Sequence, residues 1–152
     1  MTTIIRRATR ADGDETAAVF LASRSTMTYL PRLHTDEDTR TFIGNVVHAL
    51  ETFVAVRDDR IVGFAALNGN WLDHLYVHPA RFGTKTGSKL FDEIRFQRPG
   101  GFQFWVFQKN AGARRFYERH GCALVRLTDG GANEEKEPDA LYVWPATFIP
   151  EG

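Results

Sequence analysis

The chain is short of three things, and each shortage removes a class of function. It has one cysteine, Cys122. A lone cysteine forms no intramolecular disulfide and builds no cysteine-based zinc site, which fits a cytoplasmic protein. It has no excess of either charge: Lys and Arg number 19 and Asp and Glu number 19. Nucleic-acid binders usually carry a clear basic surplus, so no nucleic-acid partner is expected. It also lacks a long apolar run. No segment approaches the ~20 apolar residues of a membrane span, and the opening MTTIIRRATRADGDE has no stretch that reads as a signal peptide. No membrane role is expected.

What is present reads as one globular domain over residues 1–152, with 43% hydrophobic and 12% aromatic residues. No repeat or linker divides it. A short β-branched and basic stretch predicts a strand over 4–9. Asp12 then reads as the cap of a helix that uses Ala17, Val19, Phe20 and Leu21. A loop with Pro31 leads to a second helix over 36–50. Three strands follow, over 53–57, 61–67 and 71–77, separated by the turn signals Asp58-Asp59 and Asn68-Gly69-Asn70. A helix is predicted from Ser88 to Phe96 and stops at Pro99-Gly100-Gly101. The aromatic stretch 102–107 reads as a buried strand. Asn110 opens a fourth helix that ends at His120-Gly121, and strands over 123–127 and 141–144 close the chain. The order β α α β β β α β α β β predicts an α/β (α+β) fold, a mixed sheet with helices on its faces.

Two stretches carry a family resemblance. LYVHPARFGTKTGSKLF, residues 75–91, resembles the coenzyme A-binding motif of the GNAT N-acetyltransferases: a strand, a Val-x-Pro step, a glycine-bearing loop and a helix. NAGARRFYERHG, residues 110–121, resembles the family's second motif, an Asn opening a helix with a Phe-Tyr pair that ends in glycine. The two occur in the family's order about twenty residues apart, and the strand order agrees over nearly the whole chain. The resemblance implies the GNAT acyl-CoA N-acyltransferase fold, a mostly antiparallel sheet of about seven strands flanked by four helices. It implies acetyl-CoA as cosubstrate, a primary amine of a small molecule or peptide as acceptor, and no metal. Many members are dimers, so the resemblance, and nothing in the sequence itself, suggests a homodimer. The family loop reads Gln or Arg, two residues, Gly, one residue, then Gly or Ala. Those three positions are here Phe82, Lys85 and Gly87, with Gly83 an additional glycine.

The chemistry places demands on these residues. A pyrophosphate needs donors that do not titrate away, and the amides of a loop entering a helix supply them. Phe82, Gly83, Thr84, Lys85, Thr86, Gly87 and Ser88 are the candidates. A nucleotide P-loop does not fit, because Gly83 and Gly87 bracket three residues and Ser88 stands where lysine is required. By resemblance, the strand containing Leu75, Tyr76 and Val77 splays from the next one and receives the pantetheine arm on main-chain groups. Asn110 and Arg114 are expected to touch the coenzyme, and Tyr117 to act as general acid on the leaving thiolate. Asp73, set opposite His74 by strand alternation, is the candidate general base. Tyr29, Leu30 and His34 are expected to wall the acceptor site, and the acidic segment 128–139 could reach it. Two readings stay open: an acetyltransferase, or a degenerate GNAT domain that binds acyl-CoA or a protein partner without catalysis.

Overall fold

The computed structural model describes residues 2–150. Its centre is β3 (Arg60–Asn68), a run of apolar and small residues buried on both faces. It pairs antiparallel with β2 (Glu51–Arg57) on one side and β4 (Trp71–Val77) on the other. β1 (Ile4–Arg7) extends the sheet beyond β2. On the far side lie β5 (Phe102–Phe107), β7 (Asp139–Trp144) and β6 (Ala123–Leu127), which completes seven strands in the order β1-β2-β3-β4-β5-β7-β6. All neighbours are antiparallel except β4 and β5.

Helices cover both faces. α1 (Gly13–Arg24) and α2 (Asp36–Ala49) pack Ala17, Phe20, Ile43 and Val47 against Val54, Ile61 and Phe64. α3 (Thr86–Gln97) and α4 (Ala111–Arg119) cover the opposite face with Leu90, Phe91, Ile94 and Tyr117, over Phe102, Phe104, Ala140 and Tyr142. Among the described residues no helix is long and apolar enough to cross a membrane.

Three local features depart from the sequence expectation: β1 ends at Arg7 rather than Thr9, and the starts of α1 and α3 differ. Asp12 does not cap α1 with its side chain. Its carboxylate instead accepts from the Thr9 amide at 2.7 Å and pairs with Arg6 at 2.8 Å. A 3-10 turn over Arg10–Asp12 intervenes, and the carboxylate closes that turn rather than the helix. The third helix begins at Thr86, two residues before the apolar periodicity starts at Ser88, because helix onset follows the backbone turn at Lys85 and not the first buried side chain.

Candidate active site

β4 and β5 run parallel but share a single ladder pair among the described residues, Trp71 with Gln103. The Gln103 amide donates to the Asn70 carbonyl at 2.9 Å, and beyond that point the strands part. The resulting gap opens into a cavity of about 1220 Å³, lined on one side of the sheet by α3 and α4 and on the other by the end of α1 and the segment after β6.

The register of β4 decides which groups face the gap. The His78 amide donates to the Val62 carbonyl at 2.8 Å, and pairing alternates along an antiparallel ladder. Tyr76 therefore turns its main chain toward β3, whereas Leu75 and Val77 turn theirs into the gap. Tyr76 lines the same cavity, but its main chain is bonded to β3 and not turned into the gap as those of its two neighbours are. Its ring lies on the α1 side, packed edge-on to Phe20 at 4.9 Å. One residue further back the ladder is irregular: Ala66 pairs with His74 and Leu67 with Leu72, which leaves Asp73 as the extra residue of a bulge in β4. Leu72 and Leu75 consequently both meet the core under α3 and α4. Strict alternation, the basis for setting Asp73 opposite His74, breaks at this position. Asp73 lines the cavity. Partial burial raises its pKa above the ordinary carboxylate value, opposed by a hydrogen bond from Asn68.

The loop into α3 forms the coenzyme-side wall. Gly83 has φ +78° and Lys85 has φ +67°, so the lysine adopts the left-handed conformation at the position where the family motif has glycine. The helix's first internal bond runs from the Lys89 amide to the Lys85 carbonyl, which leaves the amides of Thr86, Gly87 and Ser88 without a partner inside the helix. Thr84 caps the turn by donating to the Arg81 carbonyl at 2.6 Å. Lys85, Thr86, Gly87, Ser88, Phe82 and Gly83 all line the cavity, and Thr84 does not. A Cβ added at Gly87 would meet Phe116 at 3.5 Å, an ordinary contact. Gly87 is therefore not enforced by crowding from the protein itself.

α4 contributes the remaining residues. The Asn110 side chain accepts from the Ala113 amide at 3.2 Å, so it caps the helix while lining the cavity. Tyr117 is buried among Phe91, Phe104 and Phe116, its ring centroid 4.4 Å from that of Phe104. Burial pushes its phenol pKa well above the ordinary value. Among the described residues its hydroxyl makes no hydrogen bond. Arg114 is not brought to the cavity. Its Nε donates to the Tyr142 hydroxyl at 3.0 Å, and that hydroxyl donates to Glu118 at 2.6 Å. Arg115 and Arg119, further along the same helix, do line the cavity. Helical phase separates them, since neighbouring residues lie about 100° apart around the axis.

On the α1 side the expected acceptor wall is split. Tyr29 lines the cavity and packs edge-on to Phe107 at 6.2 Å, but Leu30 and His34 do not line it. His34 is exposed and pairs with Glu134 at 2.5 Å. Thr128, Asn133 and Glu135, from the acidic segment expected to reach the acceptor site, belong to this wall, as does Arg24, which carried no recognisable pattern in the sequence. His74 sits among the rings of Phe20, Phe42, Phe64 and Tyr76, and burial, with the nearby Arg24 charge, lowers its pKa to about 4. Among the described residues His, Cys, Asp and Glu form no cluster of three able to hold a metal ion.

Comparison with known proteins bears on the fold that carries this site. The sequence pattern described as "Acetyltransferase (GNAT) domain" matches residues 48–121, the span from the end of α2 through α4. No curated protein matches the chain significantly. Among solved structures, apo YjaB from Escherichia coli is 22% identical with TM-score 0.78, covering 95% of this chain and 98% of that one. A GCN5-related N-acetyltransferase from Rhodopseudomonas palustris is 22% identical with TM-score 0.79, at 94% and 95% coverage. The PaiA N-acetyltransferase from Thermoplasma acidophilum, solved in complex with coenzyme A, is 17% identical with TM-score 0.70, at 94% and 98% coverage.

Proposed function

Since the chain belongs to the GNAT acetyltransferase family and so to the acyltransferases, we propose that it transfers an acetyl group from acetyl-CoA directly to a primary amine. The observation that carries this reading is the parting of β4 from β5 after Trp71 and Gln103, with the cavity running from that gap to the partnerless amides of Thr86 to Ser88. A long, phosphorylated thioester suits that shape. Its phosphates find amide donors and the positive end of α3, with Lys85, Arg115 and Arg119 adding charge. The left-handed lysine costs about 1–2 kcal/mol relative to glycine, and its own positive charge offsets part of that in coenzyme binding.

In the transfer a C–N bond forms, the C–S bond breaks, and the proton given up by the amine ends on sulfur. The main-chain groups of Leu75 and Val77 hold the pantetheine arm, and an amide here polarises the thioester carbonyl. Tyr117 serves the leaving sulfur. An alkyl thiol has a pKa of about 8.5, and the buried phenol sits further above that than an exposed tyrosine does. Tyr117 therefore acts chiefly by donating a hydrogen bond to the developing thiolate, with the full proton supplied through the amine. Before attack Asp73, its pKa raised above the ordinary carboxylate value by partial burial, takes one proton from the incoming ammonium, and the second, released as the C–N bond forms, is the one that passes to sulfur.

The test has two parts. Calorimetry should detect acetyl-CoA binding, and a thiol-release assay against a panel of amines should identify an acceptor. Binding without release from any amine would favour the non-catalytic reading, and no heat at millimolar coenzyme would overturn both.

A further inference from the structure

The acceptor end of the cavity contains an ion pair with loose geometry. Arg24, the last residue of α1, passes between the rings of Phe20 and Phe107, with its guanidinium carbon 5.2 and 5.8 Å from their centroids. Its Nη1 and Nη2 both reach the same Glu135 oxygen, at 3.4 and 3.3 Å. Charge-assisted bonds of this kind normally close to about 2.7–2.9 Å. The second Glu135 oxygen makes no bond to Arg24, and the Arg24 Nε is covered without a partner. Both side chains line the cavity, with exposures of 27% and 14%. Arg24 also has a side-chain hydrogen bond with Tyr76, but the two opposite charges still sit half-desolvated at a wall that the acceptor must approach, and neither is fully satisfied by the other.

We propose that the acceptor is a free, zwitterionic amino acid, whose carboxylate takes the Arg24 guanidinium while its ammonium is met by Glu135. This inference rests on the acyltransferase reading above and specifies its substrate class. The argument is one of charge replacement. A ligand carrying only a cation, such as a polyamine, would be drawn to Glu135 but would leave Arg24 beside a like charge. A ligand carrying only an anion would strip Arg24 from Glu135 and leave that carboxylate unpaired in a half-buried place. A zwitterion replaces each partner with one of the same sign, so neither buried charge is orphaned. The planar fork of arginine suits a carboxylate, which can close to two short bonds where Glu135 offers one oxygen at long range. The surrounding surface is aromatic, with Tyr29, Tyr76 and Phe107 facing the same chamber, which suits a small ligand with an apolar side chain better than a long flexible one.

Two measurements separate this proposal from the reading beneath it. Binding of the twenty amino acids, their carboxamides and their decarboxylated amines is followed by calorimetry on protein saturated with coenzyme A, which needs no turnover. Thiol release from acetyl-CoA is measured on the same panel. At least one free amino acid should bind, with kcat/KM at least tenfold above its carboxamide and its decarboxylated amine. Arg24→Met should abolish that preference while the coenzyme affinity stays within twofold, and Glu135→Gln should weaken binding of decarboxylated amines more than of amino acids. The Arg24→Met, Glu135→Gln double variant removes both charges, so it serves as the folded control if the single variant is unstable. Equal or better use of carboxamides, or an acid-over-amide preference that survives in the double variant, would overturn the proposal. Amino-acid binding without thiol release would uphold the pocket and sink the acyltransferase reading instead.

Discussion

Trp71 and Gln103 pair across β4 and β5, and the two strands separate immediately after them. The consequence is a pair of main-chain edges, at Leu75 and Val77, with no strand to bond. Amide hydrogen exchange checks this directly. The Tyr76 amide, turned into β3, should be protected in the free protein, whereas Leu75 and Val77 should exchange quickly and slow at least tenfold when coenzyme A is added. Uniform protection along the strand without ligand would contradict the open gap.

Tyr117 is buried, yet its hydroxyl bonds to nothing among the described residues. Removing the oxygen should therefore cost little stability and much activity. Tyr117→Phe is expected to change the melting temperature by about 2 °C or less, since removing a hydroxyl that makes no hydrogen bond leaves no partner unsatisfied. Turnover should drop by about 100-fold, the usual scale for losing a hydrogen-bond donor aimed at developing negative charge. The KM for acetyl-CoA should be unchanged.

Lys85 holds φ +67°, where a side chain is strained. Lys85→Gly and Lys85→Ala remove the same charge but differ in that strain. The glycine variant should be the more stable of the two by about 1 kcal/mol, allowing for the greater freedom of glycine in the unfolded chain. Both should bind coenzyme A several-fold more weakly at low salt, with a flatter salt dependence than wild type. Chemical denaturation and calorimetry at two ionic strengths provide the check.

His74 gives a pH prediction with a definite sign. Its pKa falls from 6.5 unfolded to about 4 folded, chiefly through burial. A base whose folded pKa is depressed stabilises the fold fully above pH 6.5, and that contribution is lost as pH drops from 6.5 to about 4. The loss amounts to about 3 kcal/mol. His74→Leu, among Phe20, Phe42 and Phe64, should flatten this part of the stability curve. Asp12, lowered to about 2 mainly by its hydrogen bond to Arg6, titrates in a separate window below pH 3.8. Denaturation midpoints measured from pH 7 to about pH 2 distinguish the two.

Much of the site was legible because its signals are local. Gly83, Lys85 and Gly87 mark a turn into a helix, Asn110 is a helix cap, and Tyr117 follows it by seven residues, two turns along one face. Arg114 turns to Tyr142 while Arg115 lines the cavity, because adjacent arginines look alike in a sequence and only the phase of α4 tells them apart. Leu30 and His34 were grouped with Tyr29 by proximity along the chain, but the loop turns away after Tyr29, and His34 finds Glu134 at the surface.

The amino-acid sequence by itself determined the elements, their order and the two motifs, because turns, caps and apolar periodicity act over a few residues. It left open that β7 inserts between β5 and β6, that a bulge at Asp73 shifts the face of β4, and that Arg24 meets Glu135 from 111 residues away. These are outcomes of packing between distant segments. No short stretch contains the energy that decides them, so they appear only once the sheet has closed around its core.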